Sequence, residues 1–496
     1  MDKYEYFRTR YSLILSYLGM ILCFSGLLML VPLIYALFQP GGAAEIFAFL
    51  PPAGILILAG YAFWRWLRPA EDSEIVLDLR DGGVIVLLSW VIVCLVSAWP
   101  FQVSSGFDFT RSIFESVSGW TTTGLSVVNT EKVSRAILLW RSTMQVAGGA
   151  GFAIIMLSAI TGPSGYAISS AEGRSQQLVP HVRRSAKLVL LIYSGSVIVG
   201  IAAYRLGGMS LFDAVNHSFT ALSTGGFSTH NESIGYWDSA AIEAVTMILM
   251  ILGNLNFVTS WLLLRGKFAL VGKDGEIRVM ALLIPVSFAL VLLLTSLQLY
   301  PTVGESIRVA AFETVTALTT TGFSTVGYTN WNSIGVFVLI CLMLIGGGTC
   351  STAGGIKQFR IYALYKGLLW EIRQAFLPKR SVNANALWSG EQKVFVSDGQ
   401  LKQIGSYLFI YLTVYLIGVG IVAAYGYTLQ EAFFEFASAL GTVGLSIGVT
   451  SYKAPGAVLW AETAGMFLGR LEFMVVIVGL ATMLKDLRGI MFRRRT

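Results

Sequence analysis

Polar and apolar positions along this chain come in long blocks. Apolar runs of about 20 residues, the length that crosses a bilayer core of about 30 Å, recur from one end to the other, separated by short segments rich in Lys, Arg, Gly and Pro. Two runs come first, near 12–38 and 45–64, joined by Gln39-Pro40-Gly41-Gly42. From residue 84 the blocks repeat four times. Each copy has an apolar span, an amphipathic segment of about ten residues, a Thr/Gly-rich segment and a second apolar span. The copies run near 84–101, 108–119, 121–126 and 135–162; 187–206, 211–222, 223–228 and 237–264; 279–299, 305–318, 319–324 and 331–362; and 403–425, 429–440, 441–446 and 456–484.

A ten-residue segment is too short to span and suits a re-entrant helix. Each copy then makes two true crossings, so successive copies start on the same side and are related by an axis along the membrane normal. The expected architecture is an all-α polytopic membrane protein: four parallel helix, pore-helix, filter, helix repeats around a central pore, plus two N-terminal transmembrane helices. The expected boundaries are 1–83 for the N-terminal pair, 84–186, 187–278, 279–402 and 403–496 for the repeats, the last with a basic tail.

Composition agrees. Of 496 residues, 55% are hydrophobic and 13% charged, against about 25% charged in soluble domains, and the mean hydropathy is +0.69. The net charge of +7 does not point to nucleic acid, because the cations cluster in alternate linkers and at the ends. That is the positive-inside pattern, and it predicts ten crossings with both termini cytoplasmic. Lys3, Arg8 and Arg10 precede an apolar run with no small-residue cleavage site, which reads as a retained helix. Cys23, Cys94, Cys341 and Cys350 have no CxxC spacing and read as small apolar residues. Trp99, Trp120, Trp140, Trp237, Trp331 and Trp460 near span ends suit interfacial anchoring.

The chemistry concentrates around four glycines. Trp120-Thr121-Thr122-Thr123-Gly124-Leu125-Ser126, Leu222-Ser223-Thr224-Gly225-Gly226-Phe227-Ser228, Leu318-Thr319-Thr320-Thr321-Gly322-Phe323-Ser324 and Leu440-Gly441-Thr442-Val443-Gly444-Leu445-Ser446 share one grammar. β-Branched residues and glycine make poor helix, so a short extended strand is expected. Non-helical backbone at membrane depth is tolerated only in protein or beside a watery cavity. Four such segments around one axis present carbonyl and hydroxyl oxygens that replace the hydration shell of a potassium ion. Nine residues before the glycines lie Glu115, His217, Glu313 and Glu435. They read as supports for the filter segments rather than catalytic carboxylates, and no His/Cys spacing fits zinc.

Two further features stand out. The run Gly346-Gly347-Gly348-Thr349-Cys350-Ser351-Thr352-Ala353-Gly354-Gly355-Ile356-Lys357 interrupts the last span of the third copy; it breaks the helix there or allows close packing of small residues. It is not a Walker A motif, since Gly355 is followed by Ile356-Lys357, and no strand precedes it as a dinucleotide fold requires. Arg470 sits inside the final apolar run, where an ionisable group marks function or pairs locally with Glu472.

These residues resemble the Trk/Ktr/HKT superfamily of potassium transporters over about 84–484, and the N-terminal pair is most similar to the Trk-type membrane subunit. Supporting motifs are Ser218-Phe219 through Gly226-Phe227-Ser228-Thr229-His230, the glycine run, and Gly469-Arg470-Leu471-Glu472. The resemblance implies potassium uptake, not catalysis, in a bacterial or archaeal cytoplasmic membrane. It implies ion binding by Thr122, Thr123 and Gly124; Thr224, Gly225 and Gly226; Thr320, Thr321 and Gly322; and Thr442, Val443 and Gly444, with Gly124 favouring potassium over sodium. The fourth filter departs most, with Gly441 and Val443 where the third has threonine. Gating is implied for Gly346, Gly347, Gly348, Gly354, Gly355, Lys357 and Arg470. A homodimer and a cytosolic nucleotide-binding subunit of the TrkA type are the implied partners; no cofactor is expected, and potassium is the substrate. The residues alone leave open a secondary transporter that binds a small solute at broken helices in the midplane, and do not separate passive conduction from proton or sodium coupling.

Overall fold

The computed structural model describes residues 3–40, 42–68, 77–150, 182–377, 386–389 and 392–493. Within them the chain is helical apart from loops and one small hairpin. Helices α1 (Lys3–Leu37) and α2 (Ala43–Trp66) pack antiparallel as a pair. Arg10 ties α1 to the repeats by donating to Asp81 Oδ1 at 2.7 Å, and Tyr11 donates to Asp486 Oδ2 at 2.8 Å.

The first repeat contains α3 (Leu79–Ser97), α4 (Trp99–Ser105), the pore helix α5 (Phe109–Trp120) and the inner helix α6 (Arg135–Ala150). The second contains α7 (Val182–Leu206), pore helix α8 (Leu211–Leu222), α9 (Ala240–Asn254) and α10 (Phe257–Leu264). The third contains α11 (Gly275–Leu299), pore helix α12 (Val303–Leu318), α13 (Ser333–Ile345) and α14 (Gln358–Ala375). A hairpin of β1 (Ala386–Ser389) and β2 (Gln392–Phe395) follows, a strand element that the sequence reading lacked. The fourth contains α15 (Asp398–Ala424), pore helix α16 (Leu429–Leu440), α17 (Gly456–Leu471) and α18 (Phe473–Arg493).

Among the described residues, six helices are long and apolar enough to cross a membrane, and two further candidates are bent pairs. The expected continuous inner spans 237–264 and 456–484 are in fact broken: α9 and α10 meet at 117°, and α17 and α18 at 96°. Asn254-Leu255-Asn256 interrupts the first, with the Asn256 side chain capping α10 through Val258 N at 2.9 Å, and Glu472 interrupts the second with φ 57°. The part of the first copy's second span beyond 150 lies outside the described residues, as do Arg174, His181, Lys379, Arg380, Arg494 and Arg495.

Buried aliphatic and aromatic side chains from different repeats form common cores. One joins the N-terminal pair to repeats one and four; another joins repeats three and four. The pore helices are the most enclosed elements, with Phe114, Phe312 and Phe434 showing 0% exposure.

Candidate functional site

The four pore helices begin with side-chain caps that the sequence supplies at equivalent places. Asp108 accepts from Arg111 N at 2.8 Å, Ser210 from Asp213 N at 3.1 Å, Thr302 from Glu305 N at 3.2 Å and Thr428 from Glu431 N at 3.3 Å. Such caps satisfy orphan N–H groups at a helix start. All four end at the residue before a Thr/Gly segment, so four helix C-termini, each carrying roughly half a negative charge, converge on those segments. That field favours a cation.

The segments are not the extended strands expected from their composition. Thr122, Thr224, Thr320 and Thr442 have φ of 54°, 50°, 51° and 49°, and the glycines two residues later have φ of 92°, 71°, 85° and 100°. Left-handed residues alternate with an ordinary one, and this alternation aligns successive peptide groups instead of opposing them. Thr123 N donates to Ser118 O at 3.0 Å, Gly225 N to Thr220 O at 2.8 Å, Thr321 N to Thr316 O at 3.0 Å and Val443 N to Ser438 O at 2.8 Å. Hydroxyls six residues before the glycines hold the next amide: Gly124 N donates to Ser118 Oγ, Gly322 N to Thr316 Oγ1 and Gly444 N to Ser438 Oγ, at 3.0–3.1 Å. In a trans peptide the carbonyl opposes the N–H. With these amides consumed by the pore helix, the carbonyls of the residues just before them, such as Thr122 and Thr123 in the first repeat and Thr320 and Thr321 in the third, face away from it.

The four segments close on one another in a ring. A Cβ added to Gly124 would overlap the Gly225 carbonyl oxygen; at Gly226, that of Thr321; at Gly322, that of Val443; and at Gly444, that of Thr123. Repeat one touches two, two touches three, three touches four and four touches one. The sequence-predicted filter residues are thus brought to one place, and glycine is required for both φ and space.

The residues nine positions before the glycines brace the far side. Glu115 accepts from Ser126 Oγ and Val127 N, Glu435 from Ser446 Oγ, Ile447 N and Thr450 N, and Glu313 from Thr325 N and the Tyr328 hydroxyl. His217, in the same slot, pairs through Nε2 with Ser228 Oγ at 3.0 Å.

Two supports escaped the sequence reading. Arg141, buried, donates to Glu115 Oε1 at 2.8 Å and to Ser228 O at 3.1 Å, joining quadrants one and two. Gln145 donates to Gly225 O at 2.5 Å and accepts from Phe227 N at 3.1 Å. Its side chain fills the space that a Cβ at position 225 would need, which is why the second quadrant has glycine where the others carry threonine or valine. The available signal was a cation and an amide inside an apolar run.

Beneath the ring, α13 stops at Gly346 and α14 starts after Lys357. Between them the chain forms a loop closed at its neck by Gly347 N to Gly354 O at 3.1 Å, Ile356 N to Leu344 O at 3.0 Å and Lys357 N to Ile345 O at 3.0 Å. Gly346 and Gly355 face each other there with φ of 70° and 78°, and a Cβ on either would strike the other's backbone. The tip docks on the filters: Gly354 N donates to Thr320 Oγ1 at 2.7 Å, and Thr352 Oγ1 lies 3.1 Å from Thr224 Oγ1. Arg470 donates to Thr352 O and to Gly148 O, both at 2.6 Å, while Glu472 accepts from Arg360 at 2.6 Å. Thr349 N donates to buried Glu276 Oε1 at 2.7 Å, and the Lys357 ammonium folds back to Ala353 O. A cavity of about 530 Å³, lined in part by Thr349, Cys350 and Arg360, lies beside the loop. Among the described residues no group of His, Cys, Asp and Glu is arranged to hold a metal ion.

Residues 62–487 match the TrkH family, described as "Cation transport protein". The chain is 31% identical to an uncharacterized cation transporter of Methanocaldococcus jannaschii, covering 95% of each. It is 31% identical to the Trk system potassium uptake protein TrkH of Escherichia coli, covering 92% of this chain and 96% of that one. The crystal structure of the potassium transporter TrkH from Vibrio parahaemolyticus superposes with a TM-score of 0.80 at 28% identity, covering 94% of this chain and 97% of the other.

Proposed function

The chain belongs to the TrkH family of cation transport proteins, a family of transporters and not of enzymes, and from that premise we propose that it takes up potassium through the ring of four Thr/Gly segments. The observation that carries this reading is the closed cycle of contacts from Gly124 through Gly226 and Gly322 to Gly444 and back. A ring of that kind, with its amides turned outward and four helix C-termini aimed at it, supplies oxygens for a dehydrated cation. Its ligands are the oxygens of Thr122, Thr123, Gly124, Thr224, Gly225, Gly226, Thr320, Thr321, Gly322, Thr442, Val443 and Gly444.

The loop from Gly346 to Lys357 is the gate of this reading. It sits against Thr320 and Thr224, and Arg470 restrains it. Residence in a cytoplasmic membrane with both termini inside, a homodimer and a TrkA-type regulatory subunit enter through family likeness alone. A small organic solute fits less well, because the glycines are packed onto neighbouring carbonyls with no room for a side chain, let alone a solute.

The test is potassium flux into liposomes holding the purified chain, with and without an imposed proton or sodium gradient. Potassium-selective flux that Gly124→Ser and Gly322→Ser convert to sodium leak is the expected result. Equal potassium and sodium flux in the wild type would overturn the reading, and acceleration by either gradient would identify coupling.

A further inference from the structure

The inner end of the ring has one set of oxygens and two claimants. The methyl groups of Thr122, Thr224 and Thr442 lie against Gly148, Gly253 and Gly469 of their own inner helices. A threonine with its methyl turned outward presents its hydroxyl elsewhere, and the loop tip meets these hydroxyls. Thr224 Oγ1 pairs with Thr352 Oγ1, Thr320 Oγ1 accepts from Gly354 N, and Thr442 Oγ1 abuts Gly354 so closely that a Cβ there would overlap it. Thr122 Oγ1 and Thr442 Oγ1 are buried, at 1% residue exposure, and make no hydrogen bond. Two hydroxyls of the four therefore bond the loop, that of Thr224 also donating to Ser223 O at 2.7 Å, and the other two make no hydrogen bond although Thr442 Oγ1 lies against the loop.

Resting on the transport reading above, we propose that the docked loop and a potassium ion at the inner end of the ring exclude each other, so that the substrate itself drives the gate open. An amide donor on Thr320 Oγ1 claims the oxygen a cation would use. Ion occupancy and loop release then form one linked equilibrium: whatever raises potassium at the inner end raises the open population, by reciprocity of coupled sites. The gate is thereby a sensor of its own cargo, with Thr224 and Thr320 as the positioning residues that couple the two.

Cys350, a half-buried free cysteine two residues before Thr352 that lines the cavity beside the loop, reports loop release without any added label site. The purified full chain is treated with a thiol reagent in potassium chloride or in choline chloride at equal ionic strength, and alkylation of Cys350 is followed by mass spectrometry. Potassium should accelerate labelling at least about five-fold, the lower end of measured site couplings. Thr320→Val, which removes the acceptor for Gly354 N, should label fast in both salts; Thr320→Ser, which keeps the hydroxyl, should restore the potassium response. Labelling of the wild type at one rate in both salts, with liposome flux intact, overturns the proposal and leaves the transport reading standing. Absence of potassium flux overturns that reading instead. Should Thr320→Val fail to fold, the wild type and Thr320→Ser decide alone: loss of the potassium response in either sinks the coupling.

Discussion

The ring and the inner helices beneath it began as the same four copies and now differ sharply in how alike they are. In the ring the four threonines lie within φ 49–54° of one another, and each glycine meets its neighbour in the same way. Beneath it the copies diverge: α9 and α10 bend at Asn254, α13 gives way to a loop, and α17 and α18 bend at Glu472. In the proposed transport reading the uniform layer is the one that binds, where any displaced quadrant spoils a shared site. In the same reading the divergent layer is the one that moves, and only one quadrant needs to carry the moving part.

Removing the supports of the uniform layer should cost most. Arg141→Met leaves Glu115 buried and unpaired, and breaking such a pair costs about 3–5 kcal/mol. Thermal unfolding in detergent should fall accordingly, with Arg141→Met combined with Glu115→Gln recovering a good part of the loss. Gly322→Ala comes next: a left-handed alanine costs roughly 1–2 kcal/mol before its overlap with Val443 O is counted, and potassium over sodium selectivity should drop about tenfold or more in liposome flux. If selectivity survived, the ring would not be the discriminating element.

Changes in the divergent layer should act on opening rather than discrimination. Arg470→Ala removes the charge-assisted bond that holds the loop at Thr352 O, worth about 1.5–3 kcal/mol, so unstimulated flux should rise at least about tenfold with selectivity unaltered. A fall in flux would make Arg470 a permeation element instead of a restraint. Smallest is Ser438→Ala, which takes one hydroxyl from Gly444 N at a cost of about 1 kcal/mol, seen as a shift of a few degrees in melting temperature. A much larger loss would mean that the fourth quadrant lacks the redundancy of the others.

Repetition made the uniform layer readable. One Thr-Thr-Gly means little, but four Thr/Gly segments at equal offsets from Glu115, His217, Glu313 and Glu435 fixed the register, and pore helices 211–222 and 429–440 fall where the pattern put them. Composition misled on the filter backbone, because β-branching argues for strands, while the residue after each left-handed threonine donates its amide to the carbonyl of Ser118, Thr220, Thr316 or Ser438, a bond that no propensity registers. The breaks at Asn254 and Glu472 were hidden for the opposite reason: each lies in an apolar run whose hydropathy is that of a straight span, and only the tertiary contacts with the loop reveal the bend. Arg141 and Gln145 were legible in principle as polar residues at membrane depth, yet their partners lie 26 and 80 residues away.

One chain supplies all four quarters of the ring. A homotetramer would change every quarter with each substitution, whereas here a codon alters one quarter and leaves three as references. In the proposed reading, conductance and discrimination are therefore open to adjustment in fourths, and a tolerated oddity such as Gly225 resting on Gln145 shows how a single sector differs while the closed circuit persists.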